Sequence, residues 1–255
     1  MPRRRSGGER LRSALLWWTG IALAVLIWHA AARTQPQYVL PGPRTTWTAL
    51  LGLIRDEELG AALLLTVERG AVGLGISCLI GLPLGWAMGT WSWLRELLDS
   101  WVQVLMSVPP IVIVVVGMIW LGPTAGVVVL VVALVTLPLL TTAVRDAVAA
   151  IPPETYAPLR VLGATFAQIV RHIIVPASLP KFITAVRVAM ATAISVLFFT
   201  ETFGTQYGIG YYIMDAWLRV NYLDMYAGIT VLSTMGLLLF ILLDWTERRL
   251  CAWNQ

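Results

Sequence analysis

Glu68, Arg69 and Glu201 lie within apolar stretches of the sequence. A charge in such surroundings is costly enough to mark a pathway, a gate or a structural ion pair. Glu201 has three readings from sequence: pairing with Arg69, holding a gate, or reaching water. Glu68 and Arg69 open an apolar run, so their long side chains also have the option of extending to an interface. The remaining reactive residues do not assemble into a known site. His29 and His172 complete no Ser-His-Asp, Cys-His or His-Glu-x-x-His set. Cys78 and Cys251 give neither a disulfide framework nor metal-ligand spacing. Lys181, the sole lysine, is not preceded by the Gly-x-x-x-x-Gly of a nucleotide-binding loop. The sequence therefore predicts no enzyme of these classes and no metal or cofactor held by this chain, and any nucleotide chemistry must occur on another polypeptide.

Composition explains why charges are scarce. The chain has 255 residues, 58% of them hydrophobic and 13% charged, against about 25% charged in a soluble domain. Arg residues are not gathered on an aromatic-laced surface, which argues against nucleic acid as a partner. The basic start "MPRRRSGGERLRS" could precede a secretory signal. However, the run Ser13–Ala32 has the length of a membrane span, beyond the roughly 7–15 residues of a signal core. It is read as a retained helix.

Six spans are predicted near Ser13–Ala32, Thr66–Met88, Trp101–Leu121, Ala125–Ala143, Val186–Phe203 and Met225–Leu243. The third and fourth are joined only by Gly122–Thr124, which makes them an antiparallel hairpin. With the N-terminus inside, thirteen of the 18 basic residues fall in cytoplasmic segments, Arg3, Arg4, Arg5, Arg145, Arg160 and Arg171 among them. Arg33, Arg44, Arg55 and Arg219 fall outside, and Arg69 lies within a span. This bias places both termini in the cytoplasm. Trp17, Trp28, Trp86, Trp120 and Trp245 fall near span ends, as interfacial belts require. The expected organisation is a basic cytoplasmic N-terminus (1–12), a first transmembrane helix (13–32), an outer segment (33–65), a helical core (66–243) with a long cytoplasmic loop (144–185), and a cytoplasmic C-terminus (244–255). The fold class is all-α and polytopic.

Three segments lie outside the spans. In Arg33–Leu65, Pro36, Pro41 and Pro43 keep the chain extended, and Thr45 or Thr46 could cap a short helix. Gly204–Asp224 combines turn glycines with an aromatic amphipathic piece suited to an interface. The cytoplasmic loop contains "LGATFAQIVRHIIVPASLP", in which Phe166, Ile169, Val170, Ile173 and Ile174 form the apolar stripe of a helix. Upstream, "IPPETYAPLRVLG" predicts a second short helix that starts at Pro152-Pro153 and ends at Gly163. On pattern alone, this pair is equally a juxtamembrane connector on lipid headgroups. Gly70, Gly73, Gly81, Gly85 and Gly89 suit close approach of a neighbouring helix. Pro83 and Pro138 read as structural kinks.

The stretch from Gly163 through nine residues to Ile173-Ile174-Val175-Pro176 is similar to the second half of the signature loop of ABC-importer permeases. "MSVPPIVIVVVGMIWLG" resembles the proline-broken third core span of that family, bent at Pro109-Pro110, while "VLPGPRTTW" and "FTETFGTQYGIGYYIMDAW" resemble its nitrate/sulfonate/taurine branch. The resemblance covers roughly residues 35–250. Where the signature has Glu-Ala-Ala, this chain has Ala157, Pro158 and Leu159. A salt bridge from that place to a partner is therefore in question, and Pro158 costs about 3 kcal/mol inside a helix unless the helix begins there.

The resemblance implies a type I importer permease working with two ATPase subunits that bind ATP and Mg, a second permease copy forming a homodimer, and an extracytoplasmic solute-binding protein. It implies residence in a bacterial inner membrane and a small anionic solute of the nitrate, sulfonate or taurine kind, with a vitamin precursor as the alternative. The loop becomes the coupling helix, with Arg160, Leu162, Gly163, Ala164 and Thr165 as docking candidates. Pro109 and Pro110 free backbone carbonyls that a path can use. Met106, Ser107, Met190, Ser195, Thr200 and Glu201 are the further path or gate candidates. Two rivals remain from sequence: an ion-coupled secondary transporter, for which only Glu201 and His29 approach a relay, and a non-transporting membrane scaffold.

Overall fold

A computed structural model of the chain describes residues 7–55 and 58–251. Arg3, Arg4 and Arg5 of the basic N-terminus and the last four residues of the C-terminal segment lie outside the described residues. Every regular element among the described residues is helical, because a chain in lipid must satisfy its backbone internally. In order these are α1 (Gly7–Thr34), α2 (Pro43–Arg55), α3 (Glu58–Thr90), α4 (Ser92–Ser107), α5 (Pro110–Leu121), α6 (Ala125–Ala149), α7 (Ala157–Val161), α8 (Phe166–Ile169), α9 (Val175–Gly204), α10 (Ile209–Leu218) and α11 (Tyr222–Leu250). Four stretches among the described residues are long and apolar enough to cross a bilayer: 59–90, 125–149, 166–204 and 222–250. The bent pair α4–α5 would make a fifth. The first predicted span coincides with α1, which runs 28 residues and leaves Leu16, Trp18, Leu23, Leu26 and Ile27 exposed.

The centre is a parallel pair, α3 and α6. Small residues recur every four positions along α3, at Gly73, Ser77, Gly81, Gly85 and Gly89, and face α6 partners 59 positions further on. A β-carbon on Gly85 would lie 2.7 Å from both the Thr141 carbonyl and Val144 Cβ, and one on Gly89 would lie 2.6 Å from Val148 Cβ. At Ser77 the hydroxyl lies 2.7 Å from Thr136 Oγ1 and donates to the Ala133 carbonyl at 2.8 Å. Small side chains let the backbones approach, and that approach gives the dispersion energy that holds helices together in lipid. Val114, Val127, Val128, Val131, Val132, Ala193, Val196 and Leu197 then pack α5 and α9 onto α6.

Three expectations need correction. The third span, expected at Trp101–Leu121, is broken at its prolines as expected, but it starts earlier, at Ser92, and is cornered rather than bent: α4 ends at Ser107, α5 starts at Pro110, and their axes differ by 92°. Val108 precedes Pro109 and Pro109 precedes Pro110, so each is pushed out of the helical region (ψ 122° and 134°). Two successive extended residues turn a kink into a corner. The second correction concerns Ala164–Val175, which is not a separate helix. After α8 the chain makes one wide π turn (Val170–Ile174) and runs straight into α9, giving a helical unit from 166 to 204. Pro176 has no N–H to donate, and its ring would collide with the carbonyl four residues back. In the wide turn, the Val175 N–H reaches the Val170 carbonyl instead, so the helix passes the proline. Lastly, α2 begins at Pro43 rather than being capped by Thr45 or Thr46, since proline suits the first helical position.

Candidate functional site

At one end of the bundle, Glu201 of α9 is 0% exposed and its carboxylate is enclosed by donors. Arg69 Nη1 donates to Oε1 at 3.0 Å. The Thr66 hydroxyl lies 2.9 Å from Oε1 and 2.8 Å from Oε2, and the Gly210 N–H donates to Oε2 at 3.0 Å. Arg69 also donates to the Tyr207 carbonyl at 2.9 Å, and the Ile209 N–H donates to Thr66 Oγ1 at 2.9 Å. Three segments therefore close on one buried ion pair: α3, the end of α9, and the turn into α10.

The local sequence explains this convergence. Thr66 and Arg69, three apart on α3, share a face. The first N–H groups of α10 have no partner within their own helix, and Thr66 and Glu201 accept from two of them. Gly208 turns the chain back with φ 116°, and any β-carbon there would occupy the space of the Glu201 carboxylate. At Gly210, a β-carbon would lie 2.7 Å from the Phe198 carbonyl. Arg69 is thus turned inward rather than to an interface, whereas Glu68 is exposed. Sequence reasoning missed Thr66, Gly208 and Gly210, and the only signal for them was the spacing Thr66–Arg69 and Gly208-x-Gly210.

At the opposite end of α3 lies the loop from Ile151 to Thr165. A 3₁₀ turn (Pro153–Thr155) leads into α7, where Pro158 is the second residue and its helix-breaking clash does not arise. Gly163 closes α7 in the left-handed conformation (φ 72°), with the Ala164 N–H reaching back to the Leu159 carbonyl at 3.0 Å, a Schellman-type end. Thr165 then caps α8: it accepts from the Gln168 N–H, and Gln168 Oε1 accepts from the Thr165 N–H at 2.7 Å. This Thr-x-x-Gln box was legible in the sequence but was not among the features read from it.

Val161 and Leu162 are 87% and 84% exposed at the loop's tip, and Gly163 and Thr165 are exposed beside them, with Ala164 half-buried. The Arg160 side chain lies outside the described residues. Behind the tip the apolar stripe turns inward: Ile174 is buried against Val144 and Val148, flanked by Trp86, Ile169 and Val170. Phe166 stacks on Trp91 with ring centroids 6.0 Å apart, and Trp86 Nε1 donates to Ser178 Oγ at 3.0 Å. Trp86 lies near the end of α3 and Trp91 directly follows it, so the loop is fastened to the end of the helix that carries Arg69 at its other end.

The path candidates do not converge. Pro110 and Ser195 line a groove of about 580 Å³ between α5 and α9, with Thr192 and Phe199. Met190 instead faces a smaller groove of about 160 Å³ with Gly70, Leu74 and Met235. Met106 and Ser107 are exposed at the end of α4, next to the corner at Pro109. Thr200 is buried with its hydroxyl donated to the Val196 carbonyl at 2.6 Å, so it lines neither groove. A further cavity of about 490 Å³, unforeseen from sequence, lies over the Tyr207–Gly208 turn beside the buried ion pair.

Comparison with known proteins adds three findings. The profile of the family described as "binding-protein-dependent transport system inner membrane component" matches residues 81–251. The chain is 26% identical over 246 residues to the taurine transport system permease protein of Escherichia coli, covering 92% of this chain and 88% of that one. It is also 26% identical over 244 residues to a Bacillus subtilis permease named for aliphatic sulfonates transport, covering 94% and 88%. Among solved structures, the fold matches a chain of the methionine ABC transporter MetNI, crystallised in inward-facing conformations. The TM-score is 0.69 at 20% identity, covering 76% of this chain and 97% of that one.

Proposed function

The chain belongs to the family of inner-membrane components of binding-protein-dependent transport systems, and on that premise we propose that it is the permease of an ATP-driven importer for a small anionic solute of the sulfonate or taurine kind. A separate ATPase, present in two copies, binds ATP and Mg and docks on the loop around Gly163. Two copies of this chain form the passage, and an outer binding protein delivers the solute. Both termini lie in the cytoplasm, as the basic residues imply, so the Glu201 end faces outward.

One observation carries this reading: an apolar tip, Val161 and Leu162, stands almost fully exposed on a loop whose other face is locked into the bundle. An isolated connector would gain nothing by presenting two large apolar side chains to water, whereas a docking projection needs them. The buried pair Arg69–Glu201 is the outer closure, joining α3, α9 and the turn into α10. That engagement also speaks against a proton relay. A carboxylate holding an arginine, a threonine and a backbone N–H is a poor carrier for an ion-coupled transporter.

The deciding experiment uses the chain reconstituted with its ATPase and binding protein. Gly163→Val should abolish stimulation of ATP hydrolysis by loaded binding protein while leaving the permease folded. Uptake that survives ATP depletion but collapses with an uncoupler would overturn the reading in favour of a secondary transporter.

A further inference from the structure

The cavity over the Tyr207–Gly208 turn has walls from four segments: Ala62 and Leu65 of α3, the turn itself, Tyr211, Asp215 and Arg219 of α10, and Asn221 and Asp224 at the start of α11. Its volume, about 490 Å³, suits a small solute. Among the described lining residues, two carboxylates, Asp215 and Asp224, face one guanidinium, Arg219. Arg219 pairs with Asp215 one helical turn away and is 71% exposed, so the pair is solvated and easily parted. Asp224 holds only a neutral partner among the described contacts, the Asn221 amide at 2.5 Å. No cationic side chain pairs with it among the described contacts; its charge is met only by the Asn221 amide and the start of α11. Tyr207, Tyr211 and Tyr212 contribute aromatic surface. A carboxylate beside tyrosine faces is the chemistry that recognises an ammonium group, while an exposed arginine can turn to an anionic end.

We propose that this cavity is a solute subsite at the outer mouth that takes small zwitterions, the ammonium on Asp224 and the tyrosines and the anionic group on Arg219. The proposal rests on the importer reading and narrows it: the excess carboxylate disfavours a simple alkanesulfonate and favours an amino-sulfonate. A solute seated here lies against Tyr207 and Gly208, whose backbone covers the buried Arg69–Glu201 pair.

Calorimetric titration of the purified permease–ATPase complex in nanodiscs, without binding protein and without ATP, tests it with three probes: taurine, ethanolamine and ethanesulfonate. Taurine should bind at least about tenfold more tightly than ethanesulfonate, with ethanolamine between them. D224N should weaken taurine by about tenfold, whereas R219Q should weaken taurine yet leave ethanolamine unchanged or tighter. These opposite responses cannot come from misfolding alone. Ethanesulfonate binding as tightly as taurine, no heat from any of the three, or R219Q and D224N acting alike on ethanolamine would each overturn the subsite. Because binding is read without ATP, a failure of ATP-dependent uptake would strike the importer reading and leave this measurement interpretable.

Discussion

Arg69 and Glu201, 132 positions apart, meet at 3.0 Å in a site where the carboxylate has no exposure to solvent. Removing one member strands the other charge, at a cost of about 3–5 kcal/mol, while replacing both by apolar residues is close to neutral. R69M and E201L should each lower the unfolding midpoint of the detergent-solubilised chain, and the double variant should recover most of the loss. If the pair is the outer closure, the double variant should also raise ATP hydrolysis in the absence of binding protein.

Gly208 and Gly210 are the positions where the turn over this pair tolerates no side chain. Gly208→Ala places a methyl group against the Glu201 carboxylate in a conformation costing about 1–3 kcal/mol. Limited proteolysis should cut this variant within 205–208, where the parent chain resists.

The α3–α6 seam makes a sharper prediction, because it contrasts two glycines of one helix. A β-carbon on Gly85 meets backbone at 2.7 Å, whereas one on Gly75 meets nothing within 4 Å. Gly85→Val should abolish monodisperse extraction of the chain, and Gly75→Val should leave the size-exclusion profile unchanged.

The loop tip separates folding from partnership. Val161 and Leu162 touch little of this chain, so the double change V161S/L162S should leave the melting curve within about 0.5 kcal/mol of the parent. Co-purification of the ATPase subunit should be lost. Retained association would move the docking surface away from the tip.

What the sequence disclosed follows the strength of each local signal. Glu201 and Arg69 stood out because a charge in an apolar run is rare. Thr66, Gly208 and Gly210, which complete their site, did not, since threonine and glycine are common in spans and only tertiary closure gives them a role. Pro109-Pro110 announced a disturbance, but its size comes from two successive residues each forced extended. Pro176 gave no hint of the continuous helix around it: proline normally breaks the backbone ladder, and one wide turn absorbed the defect. The cavity over the Tyr207–Gly208 turn was out of reach altogether, being assembled from four segments that no periodicity links.

Ser77, bonded side by side with Thr136, sits near the middle of α3. From it, Arg69 lies eight residues one way and Trp86 nine the other, or roughly 12 and 14 Å at 1.5 Å per residue. The same four-residue spacing of small side chains runs from Gly73 to Gly89, so α3 and α6 are matched on both sides of this midpoint. A displacement imposed on the tryptophan end of α3 would therefore have to carry α6 along with it.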